Sequence, residues 1–203
     1  MEDMPSVPER AHWSERFGVF GSVIVFIVEL VQILAISAAI IIPIRAFLIQ
    51  PFIVRGASME PNFYDNEYLV IDEISYRFRE PERGEIIVFQ YPRDPSQYFI
   101  KRVIGLPGET VEVDEGRVKI YNDAYPEGLP LKEPYLDGAE TVGKKRVELG
   151  AQEYYLLGDN RDYSLDSRSF GPVGRDLMVG RVWFRGFPFS RLGGFQTPVY
   201  DTL

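Results

Sequence analysis

A single long apolar segment near the start of the chain restricts its architecture more than any other feature. Residues 17–42 read FGVFGSVIVFIVELVQILAISAAIII, contain no basic residue, and carry Glu29 as their one charge. As a helix rising about 1.5 Å per residue, they would extend about 39 Å, more than the roughly 30 Å hydrocarbon core of a bilayer. The segment therefore predicts one N-terminal transmembrane α-helix that ends at Pro43.

A cleaved secretory signal is the alternative interpretation of this segment. The small residues from Ala35 to Ala39 resemble a cleavage site, but the apolar stretch continues to Ile42 and follows an acidic leader. It is also longer than the roughly 7 to 15 apolar residues of a signal core, which favours a retained anchor. Orientation is left open by the positive-inside rule, because two arginines flank each end: Arg10 and Arg16 before it, Arg45 and Arg55 after it.

The composition excludes several classes of chemistry. The chain has no cysteine and one histidine, His12, which excludes disulfides, thiol nucleophiles and sites with several histidine or thiolate ligands. We therefore expect no metal ion and no other cofactor. A formal charge of −8 argues against a nucleic-acid-binding protein, which normally has a basic face.

Beyond the apolar segment, the pattern changes to short β-branched and aromatic runs separated by glycine and proline. These runs predict strands at residues 68–72, 85–91, 98–104, 110–122, 154–158 and 179–184, with a hairpin turn at Glu115 and Gly116. Residues 123–150 are rich in proline, glycine and charge and predict a loop-dominated excursion. Residues 43–203 are therefore interpreted as one all-β domain, with a small hairpin and loop excursion at about 106–157.

Without cysteine or a second histidine, a lysine is the remaining base for a serine nucleophile. Lys101 lies in the predicted strand YFIKRVI, where Phe99 and Val103 share its face and the other face is also apolar. Burial and the adjacent Arg102 are expected to lower its pKa to roughly 7.5. The alternative is a lysine whose ammonium reaches the solvent.

Ser58 is the candidate nucleophile. It follows Gly56, which permits close approach of another chain, and precedes Pro61, which stiffens the turn. If this stretch is extended, Phe52, Val54, Gly56 and Ser58 share a face and form an apolar track that leads to a hydroxyl. The alternative is an ordinary turn serine.

A third cluster, GDNRDYSLDSR at 158–168, follows an apolar strand. Its acid spacing does not fit a calcium loop, because Arg161 and Tyr163 occupy positions that need oxygen ligands. A network of Asp–Arg pairs that braces a site is the favoured interpretation, with a solvated surface loop as the alternative.

Together and in this order, these segments resemble the bacterial type I signal peptidases, a family of Ser-Lys membrane endopeptidases. The matching motifs are SMEP at 58–61, RGEIIVFQYP at 83–92, YFIKRVIGLPGE at 98–109, GDNRDYSLDSR at 158–168 and FGPV at 170–173. The resemblance covers most of the chain from Phe52 to Phe184. It implies a membrane enzyme that cleaves signal peptides from exported preproteins.

The resemblance also assigns roles to individual residues. It implies Ser58 as nucleophile and Lys101 as general base, with Ser164 orienting the lysine. The implied bracing network consists of Arg102, Asp159, Asp166 and Arg168, and the implied substrate-binding positions are Phe52, Val54, Gly56, Met59, Phe99 and Ile100. Gly56 stands where some members carry a second serine. Bulky walls in these pockets would admit only small side chains at the first and third positions before the cut.

The same resemblance implies a topology and two partners. Residues 1–16 would form a cytoplasmic tail, 17–42 a single span of the plasma membrane, and 43–203 the extracytoplasmic peptidase domain. The expected partners are preprotein signal peptides and the lipid bilayer. Two alternatives remain: an inactive, membrane-tethered β-domain that binds peptides, and a Ser-Lys self-cleaving regulator, which would need a DNA-binding module in place of the apolar helix.

Overall fold

The computed structural model describes residues 13–47, 49–198 and 200. His12 and the rest of residues 1–12 therefore lie outside the described residues. The chain divides into two compact units, with the boundary between Ala46 and Phe47. The first is a single helix and the second is built of β-strands.

The helix α1 spans Trp13–Phe47 and has one non-helical residue inside it, Gly18 (φ 57°, ψ −144°). It does not end at Pro43 as expected, but continues for one further turn. Proline removes one backbone donor, and membrane-spanning helices tolerate this loss where local adjustment or other groups satisfy the freed carbonyl. The stretch Gly21–Ile42 is long and apolar enough to cross a membrane, and its large side chains, such as Phe26 and Leu34, are exposed.

Twelve strands make up the second unit. In chain order they are β1 (Ile49–Ile53), β2 (Tyr68–Asp72), β3 (Ile86–Tyr91), β4 (Asp94–Gly105), β5 (Thr110–Asp114), β6 (Arg117–Asn122), β7 (Tyr125–Pro130), β8 (Lys145–Glu148), β9 (Glu153–Leu157), β10 (Val173–Gly174), β11 (Met178–Phe187) and β12 (Gly193–Gly194). One short helix, α2 (Ser167–Phe170), follows β9. Strands are present at every position where the sequence predicts one, so the prediction of an all-β domain beside one N-terminal helix is confirmed.

The larger sheet has the order β1-β2-β11-β3-β4-β9-β10, with β12 paired to β11, and every pairing is antiparallel. In the described residues, β1 is an edge strand that pairs with β2 alone. The first part of β4 is also unpaired on one side, because β9 joins it only from Arg102 onward. Two strand edges are therefore free to accept a further strand.

The smaller sheet has the order β7-β6-β5-β8. Its central hairpin turns at Glu115 and Gly116, as predicted, and both residues have positive φ (50° and 77°). The stretch at 123–150, expected to be dominated by loops, also contains two short strands that were not predicted, β7 and β8. These strands are short and β7 contains two prolines and a glycine, so their pairing partners rather than their composition hold them extended.

Three apolar clusters form the core of the β unit. The one that underlies the site contains Met59, Phe63, Leu69, Ile71 and Val88. It fixes the turn after Ser58 against the face of the larger sheet.

Candidate active site

Lys101 and Ser58 meet at this face of the larger sheet. Lys101 lies on β4, where it is only 3% exposed, and its Nζ is 2.8 Å from Ser58 Oγ. The same amine donates to the carbonyl of Ile100 at 2.7 Å. The two candidate catalytic residues are thus in direct hydrogen-bonding contact although 43 positions separate them in the chain.

Burial lowers the pKa of Lys101 from 10.5 to about 8. Desolvation disfavours the charged ammonium, and the negative charges of Asp166 and then Asp159 oppose this effect. Arg102 was expected to contribute, but it points to the opposite face of β4 and is paired with Asp159. Desolvation alone therefore makes neutral Lys101 accessible near neutral pH.

The loop that carries Ser58 is fixed by backbone contacts. The N–H of Asn160 donates to the Ser58 carbonyl at 3.0 Å, and the Asn160 side chain donates to the Ala57 carbonyl at 3.0 Å. The N–H of Gly56 donates to Asp65 Oδ1 at 2.9 Å. Asn160 and Asp65 were not predicted as site residues. Asn160 could have been found from its place in the GDNR motif, whereas Asp65 carries no sequence signal.

Arg102 and Asp159 form a buried ion pair behind the lysine. Arg102 Nε donates to Asp159 Oδ1 at 2.8 Å, and its Nη2 donates to Oδ2 at 2.6 Å. Asn62 donates to the same Oδ2 at 2.8 Å, and the Arg102 guanidinium lies 3.8 Å from the ring centroid of Tyr135. The pair ties β4 to the loop after β9, which brings these two predicted residues together.

Asp166 and Arg168 form a second pair across the start of α2. Asp166 caps this helix by accepting from the Arg168 N–H, and it accepts from Arg168 Nε at 2.9 Å. It also accepts from the Gly158 N–H at 3.1 Å. Asp166 therefore connects the two ends of the loop that contains Asp159 and Asn160 and holds that loop in place.

In the sequence, Arg161 served only as an argument against a calcium loop. In the structure it is buried and belongs to the same network of hydrogen bonds and ion pairs as Asp159 and Asp166. Its Nε donates to the Gly158 carbonyl at 3.0 Å and its Nη2 donates to Glu133 Oε1 at 2.5 Å. Glu133 belongs to the excursion between β7 and β8, so this contact joins the smaller sheet to the site loop. Residues so far apart in sequence gave no signal of their pairing.

Ser164 lies beside Gly158, close to the Ser58 carbonyl, and forms no hydrogen bond to Ser58 or Lys101. Its Oγ is buried and has no hydrogen-bond partner among the described residues, so the expected contact with Lys101 is not formed. The hydroxyl packs against Gly158, where an added Cβ would overlap both Ser164 and the Ser58 carbonyl oxygen. Gly158 is therefore required for close approach, a role that the sequence did not reveal.

A groove of about 540 Å³ leads to Ser58. Residues 52–58 form one wall, 97–101 the other, Leu69 and Val88 lie between them, and Tyr163 and Leu165 complete the lining. The walls include the predicted positions Phe52, Val54, Gly56, Phe99 and Ile100. Met59, which was expected to bind substrate, does not line the groove. It is 0% exposed and packs in the core, because the turn after Ser58 points its side chain away from the groove.

Comparison with known proteins identifies the family to which the chain is similar. The family model described as "Signal peptidase, peptidase S26" matches residues 27–187. The "Probable signal peptidase I-2" of Synechocystis sp. is 38% identical over 171 residues, which cover 81% of this chain and 75% of that protein. The "Signal peptidase I" of Leptolyngbya laminosa is 37% identical and covers 85% of each chain. The "Signal peptidase I" of Bacillus licheniformis is 33% identical over 81% of this chain and 90% of that protein.

Among solved structures, a crystal structure of a signal peptidase I from Enterococcus faecalis is 32% identical. It matches 51% of this chain and 97% of that one, with a TM-score of 0.44. The family match and the apolar helix together indicate a membrane protein. The chain belongs to the signal peptidase family, peptidase S26, and is a peptidase of the signal peptidase I type.

Proposed function

We propose that this chain is a membrane-anchored serine endopeptidase that removes N-terminal signal peptides from exported preproteins, with Ser58 as nucleophile and Lys101 as general base. The observation that carries the proposal is the 2.8 Å contact between Lys101 Nζ and Ser58 Oγ, made by a lysine buried enough to lose its proton. A buried lysine with no such partner would be an unexplained cost to the fold.

Acylation begins when neutral Lys101 Nζ accepts the Ser58 hydroxyl proton and Oγ attacks the carbonyl of the residue before the cut. The tetrahedral oxyanion accepts a hydrogen bond from the backbone N–H of Ser58, and such a donor contributes about 3 kcal/mol. When the C–N bond breaks, the lysine ammonium gives its proton to the leaving amine. In the second half, Lys101 takes a proton from water, and the water oxygen attacks the ester carbonyl. The bond between that carbon and Ser58 Oγ then breaks, Lys101 returns the proton to Oγ, and the signal peptide leaves with a free carboxyl group.

The substrate binds as an extended strand in the groove. The free edge of β1 and the free part of β4 offer backbone donors and acceptors on both sides of such a strand. Alternate substrate side chains then point to the apolar face, where Phe52 and Tyr98 approach each other across the groove with ring centroids 5.6 Å apart. This narrow approach favours small side chains at the first and third positions before the cut.

The remaining predicted residues position the dyad. The Arg102–Asp159 pair braces β4 beside Lys101, and the Asp166–Arg168 pair holds the loop that contacts the Ser58 carbonyl. Ser164 belongs to that same loop, and in this proposal its hydroxyl orients the lysine. None of these groups takes part in bond making.

Helix α1 anchors the enzyme in the plasma membrane, with residues 1–16 in the cytoplasm and the β unit outside. An apolar helix of this length satisfies its own backbone in lipid, and its exposed apolar side chains suit that environment. A signal peptide that itself lies in the bilayer would present its cleavage site near the membrane surface.

The function is tested by incubating the full chain in detergent with a purified preprotein and mapping the new N-terminus by mass spectrometry. We expect one cut after a small residue, and no cut with Ser58→Ala or Lys101→Ala. Arg117→Gln, an exposed change in the smaller sheet, serves as the control and should leave cleavage intact. An intact preprotein, under conditions in which another signal peptidase cuts it, would exclude the proposal and favour a β-domain that only binds peptides.

A further inference from the structure

The groove carries only positive charge, although the chain as a whole has a formal charge of −8. Its lining residues include two cations, Arg55 and Lys101, and no carboxylate within the described residues. Lys101 is buried next to Ser58. Among the described residues that line the groove, Arg55 is therefore the charged side chain that a bound peptide would contact. The absence of acidic side chains from the described groove lining is notable because the chain has more acidic than basic residues.

Arg55 is exposed and not neutralised by an ion pair in the described part of the chain. Its Nη1 donates to Asn66 Oδ1 at 2.6 Å, which holds the side chain without offsetting its charge. The neighbouring carboxylate, Asp65, is engaged by the Gly56 N–H at 2.9 Å and by the Asn66 side chain at 2.5 Å. Arg55 is thus positioned by neutral groups and retains its attraction for a further anion.

Buried and exposed side chains alternate along the groove wall formed by residues 52–55, and this alternation determines which substrate side chain lies near Arg55. Val54 is 5% exposed and packs in the core together with Phe52, whereas Ile53 is 42% exposed on the opposite side. Arg55 follows β1 and is exposed like Ile53, as a continued alternation past buried Val54 requires. A peptide strand beside this edge has the same alternation, so its first and third residues before the cut face the apolar side and its second faces the side of Arg55.

We infer that Arg55 is a specificity-determining residue that favours an acidic side chain at the second substrate position before the cut and disfavours a basic one there. This inference rests on the proposed function, since it needs a peptide in the groove. It narrows the substrate class from any small-residue cleavage site to sites in which the intervening residue is acidic or neutral.

The test uses three peptides that share one cleavage sequence and differ only at this second position, which is Asp, Asn or Lys. For the wild-type chain at low salt, we expect kcat/KM to fall from Asp to Asn and again from Asn to Lys, by about twofold to fivefold at each step, the range of exposed ion pairs. The differences should shrink as salt is added, because exposed charges are screened.

Arg55→Gln should bring the Asp and Lys peptides to nearly equal kcat/KM, and Arg55→Glu should reverse their order. Arg117→Gln removes the same charge from an exposed strand of the smaller sheet and should keep the wild-type ratio. Equal cleavage of all three peptides by the wild-type chain, or an unchanged ratio in Arg55→Gln, would overturn the inference while leaving the proposed function intact. Failure to cut any of the peptides would overturn both.

Discussion

Gly158 is the residue at which the candidate site has least room. A Cβ at this position would overlap the Ser164 hydroxyl and the Ser58 carbonyl, so the loop after β9 can approach Ser58 only without a side chain here. Lys101 shows the complementary effect, because the crowding that excludes water is also what lowers its pKa to about 8.

Gly158→Ala should consequently displace the loop, lower kcat at least tenfold and destabilise the β unit by about 1–3 kcal/mol, as overpacking does. Thermal melting and peptide cleavage measure the two effects. Gly193→Ala is the matched control, because a Cβ there meets nothing within 4 Å and the residue does not need a positive φ. Wild-type activity in Gly158→Ala would show that the loop does not need this close approach.

At the scale of elements, two consecutive residues of β4 make contacts on opposite faces of the larger sheet. Lys101 points to Ser58 and Arg102 points to Asp159, since neighbouring residues of a strand face opposite ways. The Arg102–Asp159 pair is buried, and removing one partner from a buried pair leaves the other charge uncompensated. The stability of β4 and the placement of Lys101 are thereby linked.

Asp159→Ala is expected to lower the free energy of unfolding by about 3–5 kcal/mol, whereas the double variant Arg102→Met/Asp159→Leu should lose less than that. Urea denaturation of both variants measures the difference. Lys144→Ala breaks an exposed pair with Asp114 and should cost at most about 1 kcal/mol. A single variant as stable as the wild type would contradict the bracing role of the pair.

The sequence predicted those elements whose pattern is strong. The alternation around Lys101 predicted its strand but left open whether its ammonium is buried or reaches the solvent, and the turn at Glu115 and Gly116 predicted the hairpin. Strands β7 and β8 were missed, because their extended form comes from partners distant in sequence. For the same reason the contact between Arg161 and Glu133, 28 residues apart, could not be predicted.

At the scale of the whole molecule, the chain consists of an apolar helix and a β unit with its own core. Among the described residues, all three apolar clusters are drawn from residues after position 50. The described β unit therefore contains the groove, the contact between Ser58 and Lys101 and both bracing pairs. Membrane attachment and peptide hydrolysis should be separable.

A chain that begins at Phe47 should therefore melt within a few degrees of the full chain and still cut a short soluble peptide. Circular dichroism melting and peptide cleavage test this, with the Ser58→Ala form of the same shortened chain as the blank. The full chain alone should cut a membrane-inserted preprotein at its normal rate. An unfolded shortened chain would show that α1 contributes to the core of the β unit.

The central claim is that a buried, neutral Lys101 activates Ser58, and the pH dependence of kcat/KM tests it most directly. Only the deprotonated amine can accept the Ser58 proton, so activity should rise with pH and level off above a base whose pKa is about 8. The Ser58→Ala variant supplies the background rate at each pH. A profile that rises only near the ordinary lysine pKa of 10.5, or does not change through this range, would contradict the account.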